Sequence, residues 1–169
     1  MYTDQQFDKL VESVGEQCLR HGWMLVCAES CTGGLLSASL TDIPGSSGWF
    51  ERGYVTYSNA AKIELLQVGV DTLERFGAVS EETAMEMAAG ALANTEHAHF
   101  SVSTTGIAGP GGATSGKPVG MVCFGFGHRA GDGISTQAVT HIFDGNRAQI
   151  RLSAVEFALQ KLQRFMTQR

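Results

Sequence analysis

The sequence predicts a three-layer α/β/α sandwich on a mixed, mostly parallel sheet with a late antiparallel hairpin. Strand-like apolar runs alternate with helical segments through the first hundred residues, the pattern of parallel strands joined by crossover helices. Two strand-like runs, 119–127 and 135–142, then follow each other across the short turn Arg129–Gly133, the pattern of a hairpin. A long helical segment opened by Asn146 closes the chain near Met166.

Each element has its own signal. Thr3 stands three residues before Gln6, the spacing of a capping box, and Phe7, Leu10, Val11, Val14, Cys18 and Leu19 share one helical face. Gly22 suits the left-handed position that ends such a helix. A strand over 23–28 and a helix over 32–41 follow, stopped by Pro44-Gly45. Gly53-Tyr54-Val55-Thr56-Tyr57 is β-branched and aromatic and reads as a second strand. A helix over 60–67 and a helical turn at 72–76 come next. Ser80 caps a helix over 81–95 whose inward face is Ala84, Met87, Ala88, Ala91 and Leu92, with the methionines as core. His99–Thr104 reads as a strand, and 105–118 as a loop rich in Gly and Pro. No internal repeat or linker divides the chain, so one domain over 1–169 is expected.

Composition narrows the function. Hydrophobic residues make up 43% of the chain, which excludes a disordered polymer. No apolar run approaches the ~18 residues that span a bilayer. Residues 1–20 carry Asp4, Asp8, Glu12 and Glu16 and lack the basic start and apolar centre of a signal peptide, so a cytoplasmic protein without membrane contact is expected. The net charge of −5, with no cluster of Lys or Arg, argues against a nucleic acid polymer as partner. A mononucleotide stays open, because a few N–H groups and one cation can hold it. Cys18, Cys27, Cys31 and Cys123 form no C-x-x-C pair, and no H-x₃₋₅-H element accompanies them, so no metal is expected. Cys18, Cys27 and Cys123 fit as small buried hydrophobes.

The chemistry concentrates in Ala28-Glu29-Ser30-Cys31-Thr32-Gly33-Gly34, a hydroxyl-bearing strand-to-helix turn. Backbone N–H groups at a helix start carry partial positive charge and bind anions. Ser30 there is either a cap or a nucleophile beside its own oxyanion hole. In α/β sheets, ligands sit beyond the C-terminal strand ends. Three loops converge there: 28–34, 57–62 and 104–110. In the last, Thr105-Gly106-Ile107-Ala108-Gly109-Pro110-Gly111-Gly112 holds four glycines, which let a backbone approach a ligand closely, although a flexible turn fits as well.

Several familiar arrangements fail. Gly111–Lys117 fits the opening of a P-loop, but Pro118 replaces the Ser or Thr that would meet Mg²⁺, and a strand follows instead of a helix. Ala28 and Thr32 occupy the glycine positions of a G-x-S-x-G elbow, and Gly33 the lysine position of S-x-x-K. His21, His97, His99, His128 and His141 lie outside the three loops, which disfavours a Ser-His-Asp triad. Lys62 and Tyr57 do lie there. A serine can use a neutral lysine as base with a tyrosine hydroxyl passing the proton; a solvated Lys62 and a packed Tyr57 fit the same spacing. A thiol nucleophile at Cys31, and a non-catalytic nucleotide-binding module, are the remaining alternatives.

Six segments in order, AESCTGG (28–34), GSSGWFERGYVTYSNAAK (45–62), GAVSE (77–81), TGIAGP (105–110), KPVG (117–120) and GNRAQIR (145–151), resemble the C-terminal domain of the CinA competence-damage-inducible proteins. Within that family the chain is similar to stand-alone nicotinamide-nucleotide amidases of the PncC type. The resemblance implies hydrolysis of the carboxamide of nicotinamide mononucleotide to the nicotinate nucleotide and ammonia. It implies a Ser/Tyr/Lys set falling on Ser30, Tyr57 and Lys62, and no cofactor. The N-terminal domain of full-length CinA proteins has no counterpart, and Asn146 stands where an acidic residue often precedes the arginine. Thr32, Gly33 and Gly34, with Gly106, are then expected around the oxyanion, and Thr105, Gly106, Ile107, Ala108 and Gly109 along the nucleotide. Asn59 is expected near the carboxamide or ribose, and Arg147 at the phosphate, unless Arg147 forms a surface ion pair. A homodimer or higher homo-oligomer is the expected assembly.

Overall fold

The computed structural model describes residues 4–169. In chain order the elements are α1 (Asp4–His21), β1 (Leu25–Glu29), α2 (Leu35–Thr41), a 3₁₀ turn (Ser46–Gly48), β2 (Phe50–Val55), α3 (Asn59–Leu66), α4 (Val70–Phe76), α5 (Glu81–Ala93), β3 (Phe100–Gly106), β4 (Met121–Ala130), β5 (Gly133–Ile142) and α6 (Arg147–Thr167). The strands form one sheet in the order β2-β1-β3-β4-β5. β1 runs parallel to β2 and β3, and β4 runs antiparallel to β3 and β5, so only β4 opposes the common direction.

The period of the strands sorts the side chains into two cores. Leu25 and Cys27 of β1 and Phe100 and Val102 of β3 join α1, α2 and α6 on one face. Val26 and Ala28 join Leu66, Met87, Ala91 and Leu92 from α3 and α5 on the other. The expected three layers result, and the methionine at 87 is core. α5 approaches the sheet unusually closely over small residues. Ser101 Oγ donates to the Ala88 carbonyl at 2.8 Å and Ser103 Oγ to the Ala84 carbonyl at 2.6 Å. A side chain at Gly125 would fall 2.1 Å from the Ala84 carbonyl oxygen.

The punctuation matches the sequence signals. Gly22 is left-handed at φ 65°, Ser80 Oγ accepts from the Thr83 amide, and Asn146 and Gln149 close a capping box on α6. The capping box expected at Thr3 falls outside the described residues. Most element boundaries shift by one to three residues, and three of the shifts have a visible cause. β2 begins at Phe50, because its register against β1 pairs Phe50 with Leu25. α2 begins at Leu35, because 32–34 form the preceding turn. The hairpin closes on Ala130 and Gly133, a shorter turn than Arg129–Gly133. Leu19, expected inward, is 56% exposed.

β1 and β2 end level, with Glu29 paired to Val55, and β3 runs two residues past Thr104, the partner of Glu29 on the other side. The segments that follow β1, β2 and β3 therefore meet above the middle of the sheet. Gly90 of α5 shows how tight the opposite face is, since an added Cβ would lie 1.9 Å from the Leu66 carbonyl oxygen. Helix propensity favours alanine there by up to about 1 kcal/mol, while overpacking costs ~1–3 kcal/mol. Gly90→Ala is expected to lower the urea-unfolding free energy by about 1–3 kcal/mol. Gly111→Ala, which meets nothing within 4 Å, should shift it by less than ~0.5 kcal/mol.

Candidate active site

A cavity of about 230 Å³ opens where the three strand ends meet, lined by Ser30, Cys31, Tyr57, Lys62, Ala78, Val79, Thr105, Gly106, Ala108 and Arg147. Ser30 sits one residue beyond β1, and its amide donates to the Thr104 carbonyl at 2.9 Å, extending the ladder and fixing the backbone. Lys62 comes from the first turn of α3, whose start Ser58 caps through the Ala61 amide. Lys62 is 1% exposed, yet its Nζ reaches Ser30 Oγ at 2.8 Å. The carbonyls of Thr56 and Tyr57 accept its other two protons at 3.0 and 3.1 Å. Burial lowers the Lys62 pKa from its ordinary 10.5 to about 8, because a charged amine is poorly solvated there. A lysine at this site is neutral in a useful fraction of molecules near neutral pH.

Tyr57 enters differently from the expectation. Its main-chain carbonyl faces Lys62 and accepts a long bond from Ser30 Oγ at 3.4 Å. Its phenol oxygen lies at the rim, where Arg147 Nη2 donates to it at 3.4 Å. Among the described residues the hydroxyl bonds neither Ser30 nor Lys62. Arg147 also donates through Nη1 to the Gly109 carbonyl at 2.8 Å. It forms no ion pair among the described residues, so its charge is free to meet an anion.

The turn after Ser30 is filled from within. Glu29, fully buried, accepts from Thr32 Oγ1 at 2.7 Å, the amides of Gly34 and Leu36 at 3.0 Å each, and the amide and hydroxyl of Ser37 at 2.8 and 2.6 Å. The Gly33 amide turns back to the Ser30 carbonyl at 3.1 Å. The Thr32 hydroxyl and the Gly34 amide are thus taken by the protein's own carboxylate, and the Gly33 amide by the Ser30 carbonyl. Thr32 is fully buried against Thr104 and stands outside the cavity wall. The Thr32 amide has no backbone partner among the described residues, and the Cys31 amide lies against its own thiol. From α6, Arg151 donates through Nε to the Cys31 carbonyl at 3.1 Å and through Nη2 to the Thr32 carbonyl at 2.7 Å.

Of the glycine-rich loop, Thr105, Gly106 and Ala108 line the cavity. Thr105 Oγ1 donates to the Ala78 carbonyl at 2.7 Å, tying the loop to the 77–80 segment. Ile107 is buried behind the wall, with its amide and carbonyl bound to Met121 and Gly120. Gly109 serves as the acceptor for Arg147. Asn59 is exposed at the first position of α3 and does not reach the wall, because the inward side of that turn belongs to Lys62. No histidine lines the cavity. Lys117 donates to the Phe76 carbonyl, and Thr114 and Lys117 pair as a small β-bridge, so the P-loop resemblance is without structural basis. Glu29, Arg151, Ala78 and Val79 are the contributors that spacing alone missed.

The model of the CinA C-terminal domain matches residues 7–166. The chain belongs to the CinA C-terminal domain family. A nicotinamide-nucleotide amidohydrolase PncC from Enterobacter agglomerans is 48% identical over 158 residues, covering 94% of each chain. PncC of Escherichia coli K12 is 46% identical over 95% of this chain and 94% of its own length. A solved competence damage-inducible protein A from Klebsiella pneumoniae superposes with a TM-score of 0.88 at 35% identity, over 94% of this chain and 95% of that one. A competence/damage-inducible protein from Agrobacterium tumefaciens gives 0.85 at 44% identity, over 92% and 93%. The architecture built above is therefore the architecture of the CinA family.

Glu29 generates a stability test. Glutamine there would replace one acceptor oxygen by an NH₂ group facing backbone and hydroxyl donors. Hydrogen bonds to charged groups contribute ~1.5–3 kcal/mol each. Glu29→Gln is expected to lower the unfolding free energy by at least about 2 kcal/mol, read from the midpoint of urea denaturation.

Proposed function

We propose that this CinA-family chain is an amidase that hydrolyses the carboxamide of nicotinamide mononucleotide, with Ser30 as nucleophile and Lys62 as general base. The observation that carries the reading is the 2.8 Å contact of a buried lysine amine with a serine hydroxyl in an open cavity. Full-length similarity to proteins named nicotinamide-nucleotide amidohydrolase supports the substrate class.

The geometry suits both protonation states of Lys62. The carbonyls of Thr56 and Tyr57 take two N–H groups, and the third direction points at Ser30. When neutral, Nζ presents its lone pair there and accepts the Ser30 proton as Oγ attacks the amide carbon. The Cys31 amide, on the cavity wall, is the backbone donor of this turn left for the oxyanion; one such donor is worth ~10²–10³ in rate. The C–N bond then breaks as protonated Lys62 returns the proton to the leaving nitrogen, giving ammonia and an acyl ester on Ser30. Water attacks the ester, Lys62 takes its proton and passes it to Ser30 Oγ, and the carboxylic acid leaves. The Tyr57 hydroxyl is not needed as a relay in this sequence; its carbonyl aims Lys62 while its phenol supports Arg147 at the rim. Arg147 is the partner for the phosphate.

Cys31 is a poor rival. Burial pushes its thiol up to about 12, so no thiolate forms at working pH. Ser30→Ala is expected to abolish ammonia release from nicotinamide mononucleotide while Cys31→Ala keeps most of it. The reverse outcome would move the nucleophile to Cys31, and no release from the wild-type protein with any pyridine nucleotide would leave a binding module.

A lysine base must be neutral to accept a proton, and its pKa here is about 8. In the wild-type enzyme kcat/KM should therefore rise about tenfold per pH unit below 8 and level off above it. Lys62→Arg should stay inactive at every pH, because a guanidinium keeps its proton. Substantial activity of Lys62→Arg would reduce position 62 to a fixed charge.

A further inference from the structure

The cavity wall carries two cations and no carboxylate. Lys62 stands buried at the inner end, against Ser30. Arg147 stands exposed at the rim. Tyr57 spans the interval, with its carbonyl on Lys62 and its phenol oxygen on Arg147. The two positive groups are thus one tyrosine side chain apart along a single cavity. Glu29, the buried acid nearest in sequence to Ser30, is saturated by three amides, two hydroxyls and the Cys27 thiol and stays out of the wall.

A carboxamide is neutral and offers Lys62 only a carbonyl dipole. A carboxylate at the same place offers a full negative charge, and charge-assisted hydrogen bonds are about twice as strong as neutral ones. We infer that the cavity is a two-anion site, taking a carboxylate at Lys62 and Ser30 and a phosphate ester at Arg147, and that it therefore holds the acid product more firmly than the amide substrate. The word product rests on the amidase reading; the charge arrangement does not.

The site's titration follows. The groups facing Lys62 are the Cys31 thiol from the turn after β1, Tyr57 after β2 and Arg147 from α6; α5, packed on α3, turns Glu86 away to the Gly69 amide and the Thr72 hydroxyl. None of these supplies a negative partner at neutral pH, since burial keeps the thiol protonated. A bound carboxylate supplies one and favours protonated Lys62. Binding of the acid must take up a proton wherever the free lysine is already neutral, above about pH 8.

Calorimetry tests this. On Ser30→Ala, where no turnover consumes the amide, nicotinate mononucleotide should bind at least fivefold more tightly than nicotinamide mononucleotide at pH 7. On the wild-type protein, nicotinate mononucleotide should weaken roughly tenfold from pH 7 to pH 9, and titrations at pH 9 in two buffers of different ionisation enthalpy should show uptake of nearly one proton. Lys62→Met should lose the preference for the acid, and Arg147→Gln should weaken acid and amide by similar factors. Equal affinities of acid and amide, or pH-independent binding without proton uptake, would overturn the two-anion site even with ammonia release intact. Proton-coupled binding of the acid by a protein that releases no ammonia would uphold the site and remove the amidase reading instead.

Discussion

One buried carboxylate sets the geometry on which the rest of the site depends. Glu29 ends the buried strand β1 and points to the same face as Leu25 and Cys27, toward α2. Burying a charge there would be costly without compensation. Compensation comes from three amides and two hydroxyls, which leave the turn 30–37 little freedom. Thr104 then has a defined part: Thr32 gives its proton to Glu29, so the Thr104 hydroxyl must donate to Thr32. Arg151 holds the carbonyl side of the same turn from α6. The turn is fixed from the sheet, from α2 and from α6 at once, and Ser30 inherits that rigidity.

Lys62 is held by the same kind of device with the signs reversed. Its amine is fixed by two main-chain carbonyls from the segment after β2 and by the hydroxyl it serves. Desolvation without a carboxylate lowers its proton affinity. A carboxylate in the wall would have raised it again and removed the neutral amine. The absence of acids from the cavity and the presence of Glu29 just outside it are two halves of one electrostatic arrangement.

Much of this was legible in the chain. Caps at Ser80 and Asn146, the stop at Gly22 and the inward face of α5 are local signals, and the structure follows them. The convergence above the strand ends followed from the rule for parallel strands, and Ser30 from the turn after β1 and Lys62 from the first turn of α3 meet there. The misses are long-range. That Glu29 would bond Ser37, or that Arg151 would reach Cys31, depends on packing across the layers. Signals existed: Glu29 is the lone charge between Trp23 and Thr41, and Arg151 lies one helical turn beyond Arg147, on the same face. Asn59 failed for a complementary reason, since proximity in sequence to Lys62 placed it on the outer side of the same turn.

Tyr57 touches Lys62 and Ser30 through its carbonyl, Thr56 touches Lys62 the same way, and Gly109 meets Arg147 through its carbonyl. At Thr56 and Tyr57, side-chain replacement leaves those atoms in place. A scan of such a centre by alanine substitution would therefore light up few positions and underreport how many residues take part. The converse is latitude at position 56, whose side chain can drift provided the chain path holds, whereas Gly109 is held to glycine by a φ of 77° and by Val119, 2.5 Å from where a Cβ would stand. What the centre inherits from its loops is a trace through space more than an alphabet.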